Sequence, residues 1–188
     1  MPDPAASRRW LLSRVDQRCL DGADAILRDI VEALAIATAD AVAVRVLAED
    51  GQWLLPVVAY HPDPDRSEAI TAVMGETPSA ATGLWLSVIE TRQPRRWRIP
   101  PGFVPPEASP RQAEFLGMYP IRAVLGVPLL LEDRVVGSVA LIRFSVDQEF
   151  TDHDEELLLA CGRRLARALD FRTKMTALAA EGGTATYT

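Results

Sequence analysis

The sequence predicts an α+β domain: a central antiparallel sheet, with helices from both chain ends on one face and a helical, looped middle segment on the other. Three observations carry this. Apolar residues recur at helical spacing near both ends of the chain. Period-two apolar runs lie in pairs around the turn signals Glu49-Asp50-Gly51 and Glu132-Asp133-Arg134. Between the two pairs, short helical patterns alternate with Pro100, Pro101, Pro105, Pro106 and Pro110.

Taken in order, residues 1–6 form a loose tail with Pro2 and Pro4, and Ser7 caps a helix running to about Leu20. Leu11, Val15 and Cys19 recur there at four-residue spacing. Asp21-Gly22 interrupts the pattern, and Asp21 reads as the cap of a second helix with Asp24 in its first turn. The two are separate helices or one bent rod. Ile26, Ile30, Leu34 and Ala37 make the second stripe, widened by Leu27 and Val31. From Ala41 the period becomes two: Val42, Val44 and Val46 alternate with Ala43, Arg45 and Leu47, a strand with one buried face. Gln52–Tyr60 is its hairpin partner, and Pro56, which has no N–H to donate, puts that strand at a sheet edge or a bulge.

The middle segment reads as a short helix over Asp65–Met74 and a clearer one over Thr82–Thr91, with Leu84, Trp85, Val88 and Ile89 on one side. A short strand follows at Arg95–Ile99, then a proline loop over 100–110 and one or two helical turns at Arg111–Gly117. Ala123–Leu131 and Val135–Phe144 are apolar on both faces, which places them at the centre of the sheet, and Gly126 allows close backbone approach. Thr151 caps the last helix with Asp154 at the capping-box position. Leu158, Cys161, Leu165 and Ala168 form its stripe, and Gly182-Gly183 ends it beyond Leu178.

Composition narrows the function classes. The 188 residues suit one domain with helical extensions, and 48% hydrophobic residues exclude a chain disordered throughout. Two Cys and two His leave no disulfide framework, four-thiolate zinc site or three-His catalytic metal site within one chain. Lys174 is the only lysine among 20 basic residues, which removes a Schiff-base or P-loop lysine from the body of the chain. No nucleophile–base pair, metal cluster or phosphate loop is evident, so the reading is non-enzymatic. A net charge of −6 speaks against a nucleic-acid partner. Met1–Trp10 has no apolar core behind it and does not read as a targeting segment. No stretch reaches the roughly 18–20 apolar residues that span a bilayer. Two unpaired cysteines fit a reducing cytoplasm.

The stretch IRAVLGVPLLLEDRVVGSVAL at 121–141, followed by FTDHDEELL at 150–158 and an Ala- and Arg-rich helix, resembles the C-terminal half of a GAF domain. Gly83–Pro94 is similar to a family helix and its exit, with Gln93 in a usual glycine position. Tyr60–Arg66 resembles the second-strand exit of GAF domains found beside bacterial sensor kinases and phosphatases. The resemblance covers about residues 20–172. It implies a GAF-like sheet with a pocket under the middle segment, a small-molecule ligand, and terminal helices that pair two copies into a homodimer. The implied divisions are a tail and helix over 1–20, a sensory domain over 21–172, and the end of the C-terminal helix with a flexible tail over 173–188. A kinase, phosphatase or regulator is the implied downstream partner. The chain departs from the specialised branches: the cyclic-nucleotide signature is absent, and Cys19 and Cys161 lie in the terminal helices rather than in the middle segment, where bilin-binding and methionine-sulfoxide-reducing members carry theirs. The resemblance names no cofactor; the alternatives are a structural domain without ligand, or a haem sensor through His61.

The candidate ligand-binding residues are Tyr60, His61, Trp85, Trp97, Tyr119 and Arg122. Aromatic bodies with polar tips suit a small-ligand pocket, and also suit ordinary core. His61, with Asp63 and Asp65, is a contact at the pocket mouth or a solvent-facing turn. Arg92, Arg95, Arg96 and Arg98 around Trp97 resemble a nucleic-acid patch, but alternation fits an exposed strand with one inward side chain. Arg143, on an apolar strand, needs a carboxylate, a ligand or solvent. Cys19 and Cys161 are redox sensors or small hydrophobes.

Overall fold

The computed structural model describes residues 4–75, 79–144 and 148–184; Pro2 and the end of the C-terminal tail lie outside them. The order is α1 (Pro4–Thr38), β1 (Ala41–Leu47), β2 (Leu54–Tyr60), α2 (Pro64–Met74), α3 (Leu84–Thr91), β3 (Arg95–Arg98), α4 (Pro110–Met118), β4 (Ile121–Leu131), β5 (Arg134–Phe144) and α5 (Asp152–Thr184). The strands make one five-stranded sheet in the order β2-β1-β5-β4-β3, antiparallel throughout. This is the predicted α+β class, with β4 and β5 inside the sheet.

Alternation along the strands sends side chains to two cores. On one face Val42, Val44, Leu125, Val127, Val139 and Leu141 meet Leu27, Val31 and Leu34 of α1 and Leu158, Leu165 and Leu169 of α5. On the other, Ala43, Val124, Ala140 and Ile142 meet Ile70 and Met74 of α2, Leu84 and Val88 of α3, and Trp97 of β3. β1 therefore has two buried faces, not one, because it lies between β2 and β5 with helices on both sides. β2 is an edge strand, and the register shifts between Val44 and Arg45, where Pro56 stands opposite. A proline at that place costs the ladder little.

The terminal helices differ from the expectation. α1 is one helix: Ser7 lies inside it, and Asp21-Gly22 neither breaks nor caps it. Gln17 Nε2 donates to Asp21 Oδ1 at 2.8 Å one turn later. A helical Gly costs about 1 kcal/mol relative to Ala, which packing against α5 can offset. The buried stripe of α1 is Ala23, Leu27, Val31 and Leu34, whereas Ile26 and Ala37 are exposed. Arg172 of α5 binds Asp24 of α1 at 2.7 Å and ties the two helices together. α5 passes through Gly182-Gly183 to Thr184. It starts with the predicted capping box: the Asp154 carboxylate accepts from the Thr151 N–H at 2.7 Å, and Thr151 Oγ accepts from the Asp154 N–H at 3.3 Å.

Candidate functional site

A cavity of about 380 Å³ lies between the sheet and the middle segment. Its floor is Ala43 and Arg45 of β1 with Ile142 of β5; Ala72 and Met74 of α2 form one wall, and Trp85, Phe115 and Tyr119 form the aromatic one. The small side chains of Ala41, Ala43 and Ala140 face this side of the sheet. Trp85 lies close over β4 because residue 126 is glycine: a Cβ there would stand 2.8 Å from the Trp85 ring. Trp97 backs Trp85 edge-to-face, with ring centroids 6.4 Å apart, and its indole N–H donates to Glu107 Oε1 at 3.0 Å. Phe115 and Tyr119 pack at 4.6 Å between centroids.

One side chain joins the helices of that wall. Gln112 Oε1 accepts from the Leu84 N–H at 2.9 Å and from the Ser109 N–H at 3.0 Å. The start of α3, whose N-cap Gly83 has no side chain to offer, thus borrows its acceptor from α4. Ser109 completes a capping box by accepting from the Gln112 N–H at 3.3 Å, with Pro110 in the first turn. The Ser-x-x-Gln spacing after a proline loop carried this signal, and the sequence reading missed it.

Of the six candidate residues, Trp85 and Tyr119 line the cavity. Trp97 stands behind Trp85. Tyr60 packs with the helical core on the opposite face of the sheet, since it shares the phase of Val58. Arg122 offers its backbone carbonyl to the Ile99 N–H at 2.7 Å, and its side chain is not on the cavity wall. His61 lies neither at the cavity wall nor in solvent: it is 3% exposed, edge-on to Phe144, with Nδ1 accepting from the Asp63 N–H at 2.8 Å. Burial, and secondarily the Arg66 cation, hold its pKa below the ordinary value.

The sequence reading passed over Arg45, which is 4% exposed and lines the floor. Its guanidinium donates to the Leu54 carbonyl at 3.3 Å. A cation among alternating valines was the available signal. At the rim, Arg111 and Glu114 pair with each other. Arg96 and Arg98 do not form an open basic stripe: Arg96 bonds Asp152 and Glu155 of α5, each at 2.8 Å, and Arg98 meets Glu149 at 3.4 Å. Among the described residues no three His, Cys, Asp or Glu side chains converge as a metal site, and no helix is long and apolar enough to cross a membrane.

A sequence model of the GAF domain family matches residues 22–169. No curated protein matches the chain. Solved structures do. The GAF domain/HD domain protein of Geobacter sulfurreducens superposes with a TM-score of 0.67 at 17% identity, over 82% of this chain and 95% of that one. The GAF domain of a phosphoenolpyruvate-protein phosphotransferase from Coxiella burnetii gives 0.65 at 16%, over 92% and 98%. The second GAF domain of DevS from Mycobacterium smegmatis gives 0.59 at 19%, over 83% and 99%. At such identities the likeness establishes the fold alone. The family match over most of the chain, on a sheet and helices arranged as in those structures, means that this chain belongs to the GAF domain family, a family of sensory and regulatory small-molecule-binding domains.

Proposed function

We propose that this chain is a non-catalytic sensory module that binds a small molecule between its sheet and α2–α4, and that α1 and α5 carry the response by pairing with a second copy. The observation that carries the reading is the cavity: about 380 Å³, walled mainly by Trp85, Phe115, Tyr119, Met74 and Ile142, with Arg45, Gln112, the paired Arg111 and Glu114 and a few hydroxyls as the polar groups. That lining favours a largely apolar molecule that carries polar groups for Arg45 and for the α4 side. The output half is supported by apolar side chains on the outer faces of the terminal helices: Val15, Ile26, Phe171 and Leu178 are 47, 52, 45 and 54% exposed. A ligand changes the helix pair only to the extent that it binds one arrangement better than the other. Two free cysteines fit a cytoplasmic setting, and a kinase or another regulator is the class of downstream partner. Haem is not part of this reading, because His61 gives the cavity no axial nitrogen.

The test uses the neutral apolar fluorophore N-phenyl-1-naphthylamine. Saturable fluorescence enhancement with the wild-type protein is expected. Ala72→Trp, which fills the cavity from the solvent-exposed side of α2, should weaken binding at least ten-fold while circular dichroism stays unchanged. Native mass spectrometry of the purified protein should then find a retained small molecule displaced by the probe. No saturable binding, or binding indifferent to Ala72→Trp, overturns the proposal.

A further inference from the structure

We propose that His61 is a proton-operated latch on α2: the neutral ring holds the start of the helix against the sheet, and protonation of the ring lets it go. The latch depends on the position of the ring and operates whether or not the cavity takes a ligand.

His61 follows the last residue of β2 and is 3% exposed, with its ring edge-on to Phe144 of β5 at 5.9 Å between centroids. Nδ1 accepts the Asp63 N–H at 2.8 Å. A ring nitrogen that accepts carries no proton, so the neutral ring has its proton on Nε2. Nε2 is buried and has no hydrogen-bond partner among the described residues. Asp63 in turn opens α2, its Oδ1 accepting from the Asp65 N–H at 3.0 Å and the Arg66 N–H at 3.4 Å. One chain of contacts therefore runs from the sheet through His61 and Asp63 to the first turn of α2.

Protonation takes place at Nδ1, the atom that now accepts. It sets two N–H groups against each other and puts a charge where water is excluded. The charged groups that face the ring, among the described residues, are Arg66 from α2, Asp63 from the turn and Asp40 from the α1–β1 junction. Burial and Arg66 oppose the imidazolium; Asp63 and Asp40 favour it. Asp40 is already gripped by Arg143 of β5 through both carboxylate oxygens, at 2.9 and 2.7 Å, so its charge is largely spent on that partner. The opposing effects prevail, and the folded-state pKa falls below the unfolded value of about 6.5. A depressed pKa gives stability that is complete above the unfolded value and is lost as pH falls through it toward the folded value. Within that window each pH unit favours the open, protonated form about ten-fold. Because α2 supplies Ala72 and Met74 to the cavity wall, release of the helix opens the cavity on that side.

Hydrogen exchange of the full chain tests this, read as protection factors so that the intrinsic pH dependence of exchange is removed. Between pH 7.5 and 5.5, amides of residues 65–74 should lose protection relative to β4, by up to about ten-fold. His61→Asn keeps an acceptor for the Asp63 N–H but does not titrate, and should abolish the loss. His153→Gln removes the other histidine, which is exposed on α5, and should leave the loss intact. Unchanged α2 protection in the wild type, or a loss that persists in His61→Asn, overturns the latch. Should His61→Asn fail to fold, an NMR titration of the wild-type rings decides. An unprotonated Nδ1 at pH 7.5 and proton uptake by His61 only below the ordinary histidine range support the latch; a protonated Nδ1, or uptake at or above that range, overturns it.

Discussion

Arg143 and Asp40, 9 and 3% exposed, hold the junction of the two cores. The guanidinium meets both carboxylate oxygens of Asp40, donates to the carbonyls of Gln148 and Glu149 at 3.1 and 3.2 Å, and lies 4.1 Å from the Phe150 ring centroid. Hydrogen bonding to Asp40 raises its pKa further above the ordinary value. Removing one member strands a buried charge, so Asp40→Ala or Arg143→Ala should each cost about 3–5 kcal/mol in urea denaturation. The double change Asp40→Leu with Arg143→Met should cost less than either single one, because both charges leave together. Additive losses would show that the two side chains are not coupled. That Arg143 needs a partner was legible in the sequence from its apolar strand; that Asp40 supplies it was not, because the pair is 103 positions apart and only the β1–β5 pairing joins them. Burial raises the thiol pKa of Cys161, which disfavours the reactive thiolate.

The joint between α3 and α4 depends on a glycine at the element scale. Gly83 has φ 75°, and a Cβ on it would stand 2.2 Å from Gln112 Oε1. Gly83→Ala should therefore destabilise the protein by about 1–3 kcal/mol in thermal denaturation and weaken probe binding, since it pushes Gln112 out of the joint. Gln112→Ala should weaken the probe with normal backbone geometry at Gly83, because the Leu84 and Ser109 N–H groups lose their shared acceptor. If both variants bind the probe as the wild type does, the joint does not shape the cavity. β4, β5, the α5 cap and the edge position of β2 were legible because their signals are local: apolar runs, a capping box, a proline. The α1 stripe is rotated from the expected one, since helical periodicity admits either Ile26 or Leu27 and only packing on the sheet and α5 selects one.

At the scale of the whole molecule, the helical layer packs on the sheet with one face and leaves apolar side chains on the other. Val15 and Ile26 lie about three turns apart and Phe171 and Leu178 about two, so each pair shares a helix face. If these faces join two copies, Ile26→Glu with Phe171→Glu should shift sedimentation from dimer to monomer and leave circular dichroism unchanged; a wild type that sediments as a monomer at high concentration refutes the pairing. The α+β class, the central strands and the family resemblance are legible in the chain alone, because these reside in periodicity and short motifs that need no partner. That Tyr60 faces the helices, that Arg45 lies under the cavity and that His61 is buried against Phe144 came from the folded arrangement. Which face of a sheet a residue occupies, and what covers it, follows from register and layer packing between segments far apart in the chain. No local pattern encodes those contacts.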